Sequence, residues 1–173
     1  MPGNGGILVT DAAFGDFEVV LETNNDFGSD SGLFLRSTDD GRAYQCLIDY
    51  LPDGSVAGVY GEGLSGDIYA RNFAFGADPG TIVAQDKAPF RLPIAPADWT
   101  RLWKPGAWNE LRARITGNPP RITTWINGVR FMEFADSEPR HQGSGAIALQ
   151  VHGGEAFATV AVRYRNLRVK RLD

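Results

Sequence analysis

One predicted β-hairpin, SGLFLRSTDDGRAYQCLIDY, carries polar side chains that buried strands normally lack. Arg36 lies on its first strand, and Gln45 and Asp49 lie on the second. Strict alternation along Ala43–Tyr50 puts Gln45 and Asp49 on the same face of that strand. A guanidinium, an amide and a carboxylate on one surface are groups that bind hydroxyls by hydrogen bonds. The hairpin is therefore a candidate binding or catalytic surface.

A second segment, GAIALQVHGG, has the same character near the C-terminus. Alternation puts two alanines, Gln150 and His152 on one face and the larger apolar residues on the other. If this strand neighbours the hairpin, Phe34 and Leu47 form an apolar surface on one concave sheet face. The same face then displays five polar side chains: Arg36, Gln45, Asp49, Gln150 and His152. Such a face is a candidate site for a sugar-sized ligand.

Each of these residues also has a purely structural interpretation. Arg36 and Asp49 could form an ordinary salt bridge, which would perturb both pKa values without catalysis. Gln45 and Gln150 could be solvated, and His152 could bond to backbone at a strand end. Trp103 is one of three tryptophans between positions 99 and 108, and it either walls a binding cleft or packs in the core.

The elements that would position these residues are strands. Period-2 alternation is clear in DFEVVLE and ELRARIT, and Asn127-Gly128 between two β-rich runs predicts a type I′ hairpin. Near Asn166 the alternation of apolar and polar residues in the last strand is interrupted, which predicts a bulge. Because helical periodicity of ten residues or more is absent, we expect an all-β chain folded as an antiparallel β-sandwich with a curved concave sheet.

The length favours a single domain. The 173 residues, 43% of them hydrophobic, fit one β-sandwich domain over residues 1–173. A long, partly irregular excursion is expected at about 61–106, where Gly, Pro and Asp are frequent. We expect short strands in it and a helical turn around PADWTRLW.

Composition excludes several classes of function. The net charge of -4, without a long Lys/Arg run, argues against nucleic-acid binding. No apolar stretch is long enough for a membrane span, and the start of the chain lacks a signal-peptide pattern. The single Cys46 cannot form an intrachain disulfide or a cysteine-based metal cluster. The oligomeric state is not indicated.

Common hydrolase motifs are also missing. A retaining β-sandwich glucanase would show a carboxylate pair such as Glu-x-Asp-x-x-Glu along one strand, and the sequence has none. Gly-x-Ser-x-Gly and His-Glu-x-x-His are absent as well. The sequence therefore gives little support to a serine hydrolase, a zinc protease or a nucleotide-binding protein.

Several stretches in order resemble the 3-keto-disaccharide hydrolase family, from about Gly15 to Leu172. They include GDFEVVLE, DSGLFLRS, AYQCLIDY, VAGVYGEGL, WNELRARITGNPPRITTWINGV and GAIALQVHGG. The resemblance implies a concanavalin A-like jelly roll and cleavage of glycosides oxidised to a ketone at C3. It also implies a carbohydrate partner, an oxidised glycoside or disaccharide, and a periplasmic or secreted location.

This chemistry needs a base, a donor and an acid, but no nucleophile, because a C3 ketone acidifies the C2 hydrogen. Mapped onto the chain, His152 or Asp49 is the base and Arg36 stabilises the enolate. Glu62, at a strand exit in YGEGL, is the candidate acid.

Substrate binding is assigned by the same mapping to Gln45, Gln150, Phe34 and Trp103. A divalent cation would assist the enolate, but no ligand spacing demonstrates one, so the cofactor stays unknown and no metal ligand is assigned. Tyr44 and Cys46 stand where many relatives carry an acidic residue and a glutamine. The alternatives are therefore a carbohydrate-binding module without turnover on the same sandwich and an interaction or structural domain that uses the sandwich surface.

Overall fold

The computed structural model describes residues 4–85 and 90–172. Within these ranges the regular structure is almost entirely β, which confirms the expected all-β class. The strands in chain order are β1 (Gly5–Phe14), β2 (Phe17–Thr23), β3 (Ser29–Ser37), β4 (Ala43–Tyr50), β5 (Val56–Glu62), β6 (Tyr69–Ala70), β7 (Phe73–Phe75), β8 (Ile82–Ala84), β9 (Asn109–Thr116), β10 (Arg121–Ile126), β11 (Val129–Ala135), β12 (Gly145–His152) and β13 (Tyr164–Arg171). The helix α1 covers only Trp99–Leu102, and 3₁₀ turns cover Pro96–Asp98 and Glu155–Phe157.

Two antiparallel sheets stack to form the expected sandwich. The first has six strands in the order β1-β12-β3-β4-β5-β6, and the second has five in the order β11-β10-β9-β2-β13. The predicted neighbourhood of the hairpin and the GAIALQVH strand is confirmed, because β3 pairs with both β4 and β12. Two strands that lie far apart in sequence therefore contribute side chains to one surface.

Alternation decides which side chains form the core between the sheets. On β2, the residues Phe17, Val19 and Leu21 are fully buried, while Glu18 and Glu22 between them are partly exposed. In the first sheet, β3 sends Leu33 and Leu35 into this core. Asp30, Gly32 and Phe34 on the same strand therefore face outward, where the candidate site lies.

Local turn signals in the sequence are also confirmed. Asn127 and Gly128 both have positive φ, at 46° and 83°, and join β10 to β11 as a tight hairpin. Asn166 has a φ of 55° at a register shift between β13 and β2, which is the predicted bulge.

The excursion at 61–106 carries short elements in its described part: β6, β7, β8, a 3₁₀ turn and α1. The predicted helical turn around PADWTRLW is confirmed at Pro96–Leu102. Positions 86–89 of the excursion lie outside the described residues. Within the described ranges no helix combines the length and apolarity that crossing a membrane requires.

Trp103 is part of the core between the sheets and does not wall a cleft. Its ring is buried, stacks on Trp99 at 5.7 Å between centroids, and donates from Nε1 to the Tyr50 hydroxyl at 3.0 Å. The turn formed by Pro96–Leu102 folds both tryptophans inward, since their large apolar rings gain most from burial there. The expected role of Trp103 in substrate binding does not fit this position.

Candidate functional site

A row of three ionisable side chains crosses three strands on the outer face of the first sheet. Asp30 on β3 lies directly opposite Asp49 on β4 in the antiparallel register. His152 at the end of β12 approaches Asp30 from the other side, with 3.4 Å between Nε2 and Oδ2. Like charges directly opposite each other on neighbouring strands destabilise a sheet. A sheet that keeps such a pair is a candidate for function.

Two glutamines and a glycine form the floor beside this row. The Gln45 side-chain amide donates to Gln150 Oε1 at 3.2 Å and to the Ser31 carbonyl at 3.3 Å. It lies across Gly32, where an added Cβ would overlap the amide. Gly32 therefore makes room for Gln45 to reach β12, and the two amides form one fixed polar floor.

Aromatic side chains form the opposite wall. Tyr60 on β5 pairs with Tyr69 on β6, and their rings meet edge to face at 5.9 Å. They are 37% and 50% exposed, which is high for large rings and leaves part of each ring accessible to a ligand. The Arg71 guanidinium lies 4.9 Å from the centre of the Tyr69 ring and brings a cation to this rim.

These groups surround a cavity of about 350 Å³, which we name the reaction pocket. Its lining residues are Asp30, Gln45, Leu47, Asp49, Tyr60, Glu62, Tyr69 and His152. The volume lies at the lower end of the range for small-molecule sites. A mixture of carboxylates, an amide, an imidazole and tyrosine rings suits a ligand with many hydroxyls and an apolar ring face.

Burial in this pocket changes the ionisation of both aspartates. Desolvation, together with the nearby charge of Asp30, raises the pKa of Asp49 from 3.8 to about 6, against the opposing charge of Arg71. Desolvation likewise raises the pKa of Asp30, and the charge of His152 partly offsets this rise. Asp49 Oδ1 is buried next to Gly54 and makes no hydrogen bond of ordinary geometry with another described residue.

A carboxyl with a pKa near 6 can either accept or donate a proton near neutral pH. Asp49 is such a group, and the imidazole of His152 stands two strands away with Asp30 between them. The pocket therefore holds groups for moving a proton on to and off a bound molecule. No group of three or more His, Cys, Asp or Glu side chains in residues 4–85 and 90–172 is arranged to hold a metal ion.

Most of the residues singled out from the sequence lie in or beside the reaction pocket. Asp49, Glu62, His152 and Gln45 line it, and Gln150 contacts it through the Gln45 amide. Phe34 shares the outer face with Gln45, its partner across the β3–β4 ladder. However, Phe34 is buried in a small cluster with Ala43 and Ala148, beneath Ile7 and Val9 of β1, so a ligand does not reach it.

Arg36 does not join the pocket, and its expected pairing with Asp49 is replaced by another. The residue has a φ of 57°, which turns its side chain away from the outer face. The guanidinium is 1% exposed, bonds to the carbonyls of Gly15 and Gly117, and pairs with Asp16 at 2.8 Å. It ties β3 to two loops, and stabilising an enolate does not fit this position.

Three residues of the pocket were not expected from the sequence: Asp30, Tyr60 and Tyr69. Two of them carried a usable signal. Asp30 has the same parity as Gly32 and Phe34 along β3, and Tyr60 stands two positions before Glu62 along β5. Tyr69 lies on a two-residue strand within the irregular excursion, where no alternation could reveal its orientation.

Comparisons with known proteins give both a family and a fold. Residues 1–170 match the model of the family described as 3-keto-alpha-glucoside-1,2-lyase-like domain. Two solved structures of proposed glycosyl hydrolases from Parabacteroides distasonis are similar. One has a TM-score of 0.54 at 20% identity, covering 97% of this chain and 84% of the other. The second has a TM-score of 0.52 at 15% identity, covering 99% of this chain and 76% of the other.

A carbohydrate-binding module of type CBM66 from Bacillus subtilis is similar as well. Its TM-score is 0.55 at 14% identity, and the match covers 96% of this chain and 82% of the module. At these identities the three structures show a shared lectin-like sandwich and nothing finer. No curated protein matches the sequence.

Proposed function

Because the chain belongs to the 3-keto-alpha-glucoside-1,2-lyase-like domain family, we propose that it cleaves glycosides whose sugar ring carries a ketone at C3. The observation that carries the proposal is the row of Asp49, Asp30 and His152 across three strands, at the wall of a sugar-sized pocket. Family membership supports a carbohydrate-related function, and this row supports the proton transfers that the reaction needs.

The proposed reaction is an elimination followed by addition of water. A ketone at C3 acidifies the hydrogen on C2, so a base can remove that proton and leave an enolate. The enolate expels the oxygen substituent from C1, which takes up a proton, and a double bond forms between C1 and C2. Water then adds to this enone and completes hydrolysis.

Asp49 is our candidate for the base. Its carboxyl is partly buried, its Oδ1 lacks an ordinary hydrogen bond to another described residue, and its pKa is raised to about 6. These features make the carboxylate a stronger proton acceptor than an exposed aspartate while it stays mostly ionised at neutral pH. Asp30, directly opposite, supplies part of the repulsion that raises the pKa of Asp49.

The remaining roles follow from position. His152, held 3.4 Å from Asp30, is our candidate for the acid that protonates the departing oxygen. Desolvation raises the pKa of Tyr69, so its phenol stays protonated and can donate to the enolate oxygen in place of Arg36. Gln45 and Glu62 are proposed to hold ring hydroxyls.

The test is turnover of a 3-keto-α-glucoside, followed by mass spectrometry and by the ultraviolet absorbance of the enone. Wild type should release the leaving group, and Asp49→Asn should lose at least about 100-fold in kcat, as expected for loss of general-base catalysis. Asp53→Asn is the matched control, since Asp53 is exposed and does not line the pocket. Full activity of Asp49→Asn would contradict the assigned base.

A carbohydrate-binding module without turnover is the second candidate. The observation in its favour is the partly exposed pair of Tyr60 and Tyr69, because exposed tyrosine rings suit stacking against a sugar. In the same experiment, saturable binding of sugar by wild type with no release of product would favour this function. Loss of that binding in Tyr69→Ala would identify the surface involved.

A further inference from the structure

Strand β5 is irregular at a point next to the reaction pocket. Its ladder with β4 shifts register by one residue at Leu47, and Leu47 lines the pocket. Two residues of β5, Ala57 and Gly58, therefore lie opposite this single residue of β4. We name Ala57–Gly58 the β5 bulge. Bulges are frequent next to active sites, where they redirect the side chains of a strand.

The β5 bulge decides which side chains of the strand point into the reaction pocket. Val56 and Val59 lie on either side of it, three positions apart, and both are buried in the core. In a regular strand, residues three positions apart face opposite sides of the sheet. The extra residue therefore allows Tyr60 and Glu62, farther along β5, to face the pocket. A slip of one residue would turn Tyr60 into the core.

The β5 bulge also sets the position of β6, which carries Tyr69. A Cβ added at Gly58 would lie 2.8 Å from the Ala70 carbonyl oxygen and 2.8 Å from Leu47 Cδ1. Glycine at this position therefore lets β6 and the Leu47 side chain approach β5 closely. Beyond the bulge, Tyr60 pairs with Tyr69, the residue proposed to donate to the enolate oxygen.

The backbone of the β5 bulge is held in an unfavourable conformation. Ala57 has a φ of 62°, in the left-handed region that residues with a Cβ rarely adopt. Bulges whose first residue lies in this region normally have glycine there. Ala57 is buried, and among the described residues it has no partner in the ladders of β5 with β4 or β6. A buried carbonyl outside the ladder needs a donor from elsewhere.

That donor comes from the opposite sheet. Thr124 lies on β10 and is fully buried, and its hydroxyl donates to the Ala57 carbonyl at 2.5 Å. A hydroxyl in an apolar core is costly unless it is hydrogen-bonded, and this bond satisfies both partners. Thr124 does not line the reaction pocket, so any influence on the pocket passes through β5.

We propose that Thr124 is a positioning residue for the reaction pocket: its hydroxyl holds the β5 bulge, and the bulge in turn holds Tyr60 and Tyr69 in place. Its role in turnover rests on the proposed function, whereas its role in placing the tyrosines does not. Without the hydroxyl, Ala57 can relax toward an ordinary strand conformation, and the tyrosines lose their fixed positions. Catalysis then falls, because a donor to the transition state must be held in position.

The first test removes the hydroxyl and keeps the shape. Thr124→Val should lower kcat for a 3-keto-α-glucoside by about tenfold at a temperature where the variant is folded, since Tyr69 is displaced from the enolate oxygen. Thr124→Ser keeps the hydrogen bond and should stay within about threefold of wild type. Thr23→Val is the matched control, because it removes another buried hydroxyl bond, to Asn25, from a strand that does not pair with β5. It should lower stability and leave kcat unchanged.

The second test relieves the strain by another route. Glycine adopts a positive φ readily, so Ala57→Gly keeps the β5 bulge without help from Thr124. Adding Ala57→Gly to Thr124→Val should therefore restore kcat to within about threefold of the Ala57→Gly single variant. Urea unfolding of the same variants separates this rescue of kcat from a change in stability. If Thr124→Val alone does not fold, the double variant must fold and reach this kcat.

Wild-type kcat in Thr124→Val, or an equally low kcat in Thr124→Ser, would overturn the proposal. A double variant that does not fold, or is no more active than Thr124→Val, would overturn it as well.

A wild type that cleaves no 3-keto-glucoside would contradict the proposed function and not the positioning role. In that case the positioning role is tested by NMR. Nuclear Overhauser contacts between the rings of Tyr60 and Tyr69, whose centroids lie 5.9 Å apart, should weaken in Thr124→Val and persist in Thr124→Ser. Unchanged contacts in Thr124→Val would overturn the proposal.

Discussion

Asp49 should weaken the fold at neutral pH because it is held in a partly buried position opposite Asp30. The folded state raises its pKa from 3.8 to about 6, so the folded chain binds the proton more tightly than the unfolded chain does. The sign follows directly: stability is greatest while Asp49 is protonated in both states, below about pH 4. It falls as the pH rises through 6. Asp49→Asn removes the charge and should therefore stabilise the protein at neutral pH.

The expected gain in the free energy of unfolding can be calculated from the pKa of Asp49. A rise from 3.8 to about 6 corresponds to about 3 kcal/mol at roughly 1.36 kcal/mol per pH unit. Asp49 is partly exposed, and solvent screening reduces this figure to on the order of 1–2 kcal/mol.

Urea unfolding followed by tryptophan fluorescence at pH 7.5 and pH 4 measures this difference. The free energy of unfolding of Asp49→Asn should exceed that of wild type by about 1–2 kcal/mol at pH 7.5 and by less than about 0.5 kcal/mol at pH 4. Asp53→Asn, the exposed control, should change it by no more than about 0.5 kcal/mol at either pH. A variant that is less stable than wild type at pH 7.5 would refute the reasoning.

Two further predictions concern the floor of the reaction pocket and the core. Gly32→Ala places a Cβ against the buried Gln45 side chain, which must move, and should lower kcat/KM for a 3-keto-glucoside by about tenfold. Gly143→Ala, where a Cβ meets only ordinary contacts, is its control, and equal activity of the two variants would argue against a role for Gln45. Trp103→Phe should lower the free energy of unfolding by about 1–3 kcal/mol and leave KM unchanged, because Trp103 packs on Trp99 and bonds to Tyr50. A raised KM at unchanged stability would instead restore Trp103 to the binding site.

Alternation was sufficient to predict much of the candidate site. The parity of Gln45 and Asp49 along β4, and of Gln150 and His152 along β12, predicted which side chains share the outer face. The prediction also assumed that β12 lies beside the early hairpin. In the structure β12 pairs with β3, the first strand of that hairpin. The sandwich itself followed from the same period-2 pattern and from turn signals such as Asn127-Gly128.

The failures have local physical causes. Arg36 keeps the parity of Phe34 in the sequence, but its positive φ and the register shift between Ala146 and Ala148 break the alternation at that point. Phe34 has the predicted orientation, yet β1 covers it, and coverage by another strand does not show in the pattern of β3 itself. Tyr69 could not be placed at all, since a two-residue strand is too short to define a face.

The central claim is that cleavage begins with removal of the proton from C2. It is tested most directly with a 3-keto-glucoside that carries deuterium at C2, turned over in ordinary water and followed by NMR and mass spectrometry. The account predicts that the released sugar has lost its C2 deuterium to solvent and that Asp49→Asn slows this loss and leaving-group release together. Release of the leaving group with deuterium fully retained at C2 would contradict elimination.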